Sequence, residues 1–256
     1  MGNFYNAFMN TRINGLISPH YDYSMPLTVA IALLVLCAAA AYLLGSINFA
    51  ILVSKHKYKE DIRSYGSGNG GMTNMMRTYG RKSAAITFAG DLGKAFLSVT
   101  IGCLLMGILG GYIAGLFCII GHCFPVYYHF KGGKGVATTA MTILLLSPLT
   151  FLVLFTIFVI IVLGYKYISL GSVMCMLMYP LLLTMTDRFG PDYAVIALLI
   201  AALVIFMHRE NIKRLLNRTE SKFEFKKHGT RDQKETADGD KVTSEKKIGQ
   251  DNTDKS

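Results

Sequence analysis

Apolar residues in this chain fall into long runs separated by short polar, basic segments. The runs cover residues 27–53, 84–110, 111–123, 136–146, 149–164, 168–186 and 194–207. A helix of about 20 residues crosses about 30 Å of hydrocarbon. The first, second and sixth runs reach that length comfortably, and the others need interfacial flanks or helix packing to cross. Ser147-Pro148 is the weakest boundary, because proline lacks a backbone donor and disfavours helix at the residue before it. One bent helix or two short ones could span it.

Charge separates the two readings. Lys55, Lys57, Lys59, Arg63, Arg77, Arg81 and Lys82 follow the first run and mark that loop as cytoplasmic. Alternation then places Lys131 and Lys134 inside, Ser147-Pro148 outside, Lys166 inside, residues 187–192 outside and the basic tail inside. Merging the fourth and fifth runs would put Lys166 and the tail on opposite faces. The expectation is an all-α, polytopic integral membrane protein of about seven transmembrane helices. Its N-terminus lies outside and its C-terminus in the cytoplasm. Residues 1–26 form an extracytoplasmic extension, 27–218 the transmembrane domain, and 219–256 a charged tail of the composition that stays disordered. The first run is too long, and too closely followed by Lys, to be a cleaved leader.

Composition agrees. The chain is 52% hydrophobic, and its net charge of +10 sits between and after the apolar runs rather than on one amphipathic face. That distribution argues against a nucleic-acid partner and for a membrane lipid one. Cys37, Cys103, Cys118, Cys123 and Cys175 form no Cys-x-x-Cys pair, so neither a metal nor a redox cofactor is indicated.

Four polar segments carry the chemistry, all on the predicted cytoplasmic face. The first comprises Gly66, Ser67, Gly68, Asn69, Gly70, Gly71, Met72, Thr73 and Asn74, followed by Arg77. Glycines let successive amides converge on an anion, and Ser, Thr and Asn add donors. The Lys of a nucleotide-binding P-loop is absent, which argues against nucleotide hydrolysis. The second runs from Gly121-His122 through Lys131, Gly132, Gly133 and Lys134 to Thr138, with fixed charge beside a helix start. The third places Ser169 and Ser172 on one helix face, and the fourth does the same for His208 and Asn211. His122 reads equally well as a packing residue.

Together with Gly45-Ser46-Ile47, these segments resemble the bacterial membrane-integral glycerol-3-phosphate acyltransferases that take their acyl group from acyl phosphate. The resemblance covers residues 43–220. It implies a seven-helix fold in the inner (cytoplasmic) membrane with a cytosolic cleft. In that cleft the 66–74 loop holds the phosphoryl group of acyl phosphate. Lys131, Gly132 and Gly133 also bind substrate, while Ser67, Arg77, Lys134, Ser172, His208 and Asn211 bind glycerol 3-phosphate or polarise the reaction. No cofactor is implied, and an upstream acyl-carrier-dependent enzyme would supply the acyl phosphate. The chain departs from the family pattern at Asn48, usually Pro, at Gly70 and Met72, usually Ile and Ala, and at Ala95, usually Gly.

Two competing readings remain. His56 and Asp61 have the H-x-x-x-x-D spacing of an unrelated acyltransferase class. A transporter for a phosphorylated small molecule would also have basic loops, but it calls for ionisable groups near the midplane. Only Asp91 and Lys94 lie inside a run, where they look like a pair supporting the loops.

Overall fold

The computed structural model describes residues 26–186 and 191–223, and every regular element in them is helical. Helix α1 (Leu27–Gly45) leads to α2 (Phe49–Tyr58), α3 (Met72–Tyr79) and a 43-residue stretch, α4 (Arg81–Cys123). There follow α5 (Val136–Leu146), α6 (Pro148–Tyr165), α7 (Ile168–Thr186), α8 (Pro191–Met207) and α9 (Arg209–Leu216). Among the described residues, Thr28–Tyr58, Arg81–Tyr128, Pro148–Tyr165 and Ile168–Thr186 are long and apolar enough to cross a bilayer. The α8–α9 pair, bent by 58°, makes a fifth if taken as one span. Leu152, Ile160, Leu163, Leu177, Leu181 and Met185 are each more than half exposed, an outer surface suited to lipid and not to water. The N-terminal extension, residues 187–190 of the predicted outer turn, and the tail beyond Phe223 lie outside the described residues.

The first apolar run is not one helix. Asn48 adopts an extended conformation and its side chain accepts a hydrogen bond from Ile51 N, capping α2 and ending the continuity with α1. Nor is α4 a single rod. Met106 and Gly107 leave helical geometry, with Gly107 at φ 64°. A Cβ on Gly102 would lie 2.3 Å from Gly110 O, and one on Gly110 would lie 2.2 Å from Gly102 O. In a continuous helix residues eight apart are separated by about 12 Å, so the chain doubles back here. The sequence reading put the break between Gly110 and Gly111. It falls four residues earlier because Gly107 takes the positive φ, while Gly110 is needed for the backbone-to-backbone contact.

At Ser147-Pro148 two helices meet as predicted, with Pro148 in the first turn of α6. The buried Tyr112 hydroxyl and Ser147 Oγ, 2.8 Å apart, fasten that turn to α4. Small residues bring α1 against the second arm of α4. A Cβ on Gly45 would meet Cys118 O at 2.2 Å, and one on Gly121 would meet Tyr42 O at 2.3 Å. The largest core cluster joins Tyr112 and Ile119 to Tyr179 of α7 and Ile200 of α8. A second, smaller cluster packs Ile51, Ile62, Met75 and Tyr79, so that α2 and α3 form a platform on the first turns of α4. The loops between these elements carry the polar segments.

Candidate active site

Residues 61–71 are folded around one side chain. Asn74 Oδ1 accepts from Ser67 N at 3.0 Å, and Nδ2 donates to the carbonyls of Ile62, Tyr65 and Asn69 at 3.2, 2.9 and 3.0 Å. Gly66 has φ 58°, and a Cβ there would lie 2.2 Å from Asn74 Oδ1. Asn74 therefore builds the loop from within, where the sequence reading counted it among the binding groups. Ser67 is held through its amide and leaves its hydroxyl exposed, as is Arg77 on α3. Asn69 and Thr73 are half-buried at the rim. Met72 packs against the α2–α3 cluster.

The second glycine segment lies on the first. Gly70 N donates to Gly132 O at 3.2 Å, while Gly132 N and Gly133 N donate to Cys123 O and His122 O. A Cβ on Gly132 would sit 2.0 Å from His122 O, and one on Gly133 would sit 2.0 Å from His122 Nε2, so neither position tolerates a side chain. Gly135, at φ 81°, starts α5. Gly68, with φ 70°, makes the remaining turn of the first loop. Arg63 joins the two loops from outside, donating to Tyr128 O at 2.8 Å and Lys131 O at 2.9 Å. Asp61 holds it in a two-pronged pair, and the Arg63 guanidinium in turn keeps the Asp61 carboxyl below the usual carboxylate range. Lys131 is exposed and contributes its carbonyl to this clasp.

The departures at Asn48 and Gly70 explain one another. Asn48 Nδ2 donates to Gly70 O at 3.0 Å, and a Cβ on Gly70 would lie 3.2 Å from that same nitrogen. The amide fills the space a side chain at position 70 would take. Ala95 is fully buried among Cys37, Ala41, Ala114 and Cys118, where only a small side chain fits.

Beside the loops four elements converge on Lys134. Its ammonium donates to Asn211 Oδ1, and Asn211 Nδ2 donates to Glu220 Oε1 at 2.6 Å. The same carboxylate accepts from Ser169 Oγ at 2.7 Å and Arg214 Nε at 2.7 Å. Burial lowers the Lys134 pKa to about 8, with Arg214 and Arg77 adding repulsion and Glu220 opposing both. Burial alone would raise the Glu220 carboxyl, but the hydrogen bonds from Arg214, Asn211 and Ser169 outweigh it and hold it low. His208, buried at the α8–α9 bend, places Nδ1 2.7 Å from Val204 O. A carbonyl only accepts, so Nδ1 carries the proton and Nε2 keeps the lone pair. Ser172 donates to Ile168 O of its own helix.

Glu220 is the residue that sequence reasoning missed, since it fell just inside the segment assigned to the tail. The packed chain continues past that boundary, and Phe223 N donates to Lys166 O at 2.6 Å. Ser169 was noted only for its spacing, and Arg214 only as part of a basic stop. The signal for Glu220 was a carboxylate following Asn211 and Arg214 on a strongly basic segment.

His56 and Asp61 do not form a dyad. His56 is exposed on α2, and Asp61 is engaged by Arg63 and, at 3.6 Å, by Lys55. Asp91 and Lys94 line no pathway. Both are buried, and Lys94 donates to Gly45 O and Ile47 O at the α1–α2 break.

Fold and site together define a helical integral membrane protein in which two glycine loops meet beside a cluster of Lys134, Asn211, Arg214 and Glu220. The family profile described as glycerol-3-phosphate acyltransferase matches residues 35–218. The glycerol-3-phosphate acyltransferase of Thermoanaerobacter pseudethanolicus is 45% identical over 188 residues, 73% of this chain and 94% of that protein. The one from Carboxydothermus hydrogenoformans is 41% identical over 199 residues, 77% of this chain and all of its own. The crystal structure of PlsY (YgiH), an integral membrane glycerol 3-phosphate acyltransferase, in its glycerol 3-phosphate form superposes with a TM-score of 0.70. It is 37% identical and covers 75% of this chain and 96% of its own. Its lysophosphatidic acid form gives 0.68 at 36% identity, covering 75% of this chain and 95% of its own. The chain belongs to the glycerol-3-phosphate acyltransferase family.

Proposed function

We propose that this protein moves a fatty acyl group from acyl phosphate to the 1-hydroxyl of glycerol 3-phosphate, forming lysophosphatidic acid and inorganic phosphate. The observation that carries the reading is the convergence of Lys134, Asn211, Glu220 and Arg214 beside two glycine loops joined through Gly70 and Gly132. Acyl phosphate is a mixed anhydride, so the enzyme need not supply a nucleophile. It needs to hold two anions together and neutralise charge on the departing phosphate. The 66–71 loop, with Ser67, takes the donor phosphoryl group. Arg77 and Lys134 neutralise phosphate charge, and Asn211, Ser172 and His208 orient glycerol 3-phosphate.

The 1-hydroxyl oxygen attacks the acyl carbonyl carbon, the carbon–oxygen bond to phosphate breaks, and the electron pair leaves with phosphate. The hydroxyl proton passes to the phosphate of glycerol 3-phosphate itself, whose second pKa is near ~6. His208 Nε2 is the alternative base, and a pH–rate profile preserved in His208→Ala separates the two.

The site faces the cytoplasm in this reading. Seven spans, N-terminus outside and C-terminus inside, are supported by the reversal within α4, which makes two crossings of one helical stretch, and by the basic loops. The membrane is the cell's inner one, and the acyl phosphate comes from an acyl-carrier-dependent enzyme. Cysteine introduced at Phe130, in the loop before Lys131, is expected to resist an impermeant thiol reagent from outside, while one at Leu149 reacts. Both positions are more than half exposed. Purified protein supplied in turn with acyl phosphate, acyl-CoA and acyl carrier protein is expected to turn over the first and release phosphate in chelator. Turnover with acyl-CoA alone refutes the donor assignment.

A further inference from the structure

The buried cluster under the glycine loops has a ring nitrogen with no hydrogen-bond partner among the described residues. Lys94 Nζ lies 2.9 Å from Gly45 O, 2.7 Å from Ile47 O and 2.9 Å from His122 Nδ1. An ammonium has three hydrogens and no lone pair, so these three bonds account for it and Nδ1 must accept. Asp91 Oδ1 lies 3.0 Å from the ammonium and 3.4 Å from His122 Nδ1, with neither contact in hydrogen-bond geometry, and it balances the Lys94 charge as an ion pair. The proton of the neutral imidazole is therefore on Nε2.

His122 is 4% exposed, and among the described residues its Nε2 has no hydrogen-bond partner. That nitrogen lies where the two loops meet. A Cβ on Gly133 would be 2.0 Å from Nε2 and 2.8 Å from Gly70 O. Glycine at 133 leaves the N–H uncovered, and Lys94 fixes the ring so that this proton, and not a lone pair, faces the loops. The ring is buried but Nε2 itself is not sealed off, so an anion on the loops can accept its proton in place of water.

The geometry points to His122 Nε2–H as a donor to the phosphoryl group of acyl phosphate, and afterwards to the inorganic phosphate product, with Lys94 as the positioning residue that selects the tautomer. This rests on the acyl-phosphate reading above. The donor serves the leaving phosphate and not glycerol 3-phosphate, whose proposed contacts lie around Lys134 and Asn211.

The test is product inhibition by inorganic phosphate, measured with the Michaelis constants of both substrates in purified, monodisperse protein. His122→Leu is expected to weaken phosphate inhibition and raise the Michaelis constant for acyl phosphate, each by ~10- to 100-fold. The constant for glycerol 3-phosphate stays within about twofold. His122→Gln, whose amide nitrogen reaches the Nε2 position, is expected to recover most of the loss. His122→Asn, one carbon shorter, is not. Lys94→Met, which frees the tautomer, is expected to weaken phosphate inhibition in the same selective way. With 15N-histidine label in wild-type protein, phosphate is expected to shift the Nε2 resonance that His122→Gln removes. Unchanged phosphate inhibition in His122→Leu, equal rises in both Michaelis constants, or a silent Nε2 resonance overturns the proposal. Wild-type protein that neither uses acyl phosphate nor is inhibited by phosphate overturns the donor reading instead.

Discussion

Lys134 and Asn211, 77 residues apart in the chain, meet through a hydrogen bond from the Lys134 ammonium to Asn211 Oδ1. That contact joins the glycine segment before α5 to α9, and through Glu220 it also reaches α7 and the segment after α9. Lys134 is positioned by groups from three other parts of the chain, so its charge and its place in the cleft can be tested separately.

Lys134→Ala is expected to lower kcat by about 100-fold or more, on the order of 3 kcal/mol, since in the proposed mechanism it removes the charge that neutralises phosphate. Asn211→Ala leaves the charge and loses its orientation, so it is expected to lower turnover less. Lys59→Ala, an exposed residue outside the motifs, serves as control and is expected to be nearly silent. Steady-state kinetics on the three variants check the order.

The depressed Lys134 pKa gives a pH signature. Burial brings it from 10.5 to about 8, so the ammonium is lost from the free enzyme as pH rises through about 8. kcat/KM is expected to fall on that alkaline limb, and Lys134→Arg, which stays charged, is expected to abolish the limb whatever its absolute rate. For stability the sign is opposite. In the window from about 8 to 10.5 the unfolded chain binds more protons, so unfolding is expected to become harder as pH rises through it.

Arg77 is exposed on α3, and its charge acts on Lys134. Arg77→Lys keeps the charge and loses the planar fork. The expected result is an increase of about tenfold in the Michaelis constant of the phosphate it grips, with kcat less affected.

How much of this was legible in the sequence depended on what each residue does locally. Runs of apolar residues and the Ser147-Pro148 break announced the helices, because hydropathy and proline act without tertiary help. The polar motifs marked the glycine loops and the Lys134–Asn211 contact that the fold brings together. Interruptions inside apolar runs were hidden, since Asn48 and Gly107 break the helix by a cap and a positive φ that hydropathy does not register. The loop-closing bonds of Asn74 were hidden because an amide closing its own loop and one facing a ligand have the same sequence. Glu220 was missed because its three partners, Ser169, Asn211 and Arg214, come together only in the fold.

The α4 reversal makes its own demand on composition. Gly110→Ala would place a Cβ 2.2 Å from Gly102 O and is expected to cost about 1–3 kcal/mol or more, measured as thermal unfolding in detergent. Gly93→Ala, where a Cβ meets nothing within 4 Å, is expected to be neutral or to stabilise by up to about 1 kcal/mol through helix propensity.

Two helices whose backbones touch at Gly102 and Gly110 leave no gap for an acyl tail between them. Neither arm presents a complete lipid-compatible surface alone, because the strip of bare peptide at each glycine is covered only by the other arm. The unit that enters the bilayer is therefore the pair. Its two arms are joined by only two non-helical residues, Met106 and Gly107.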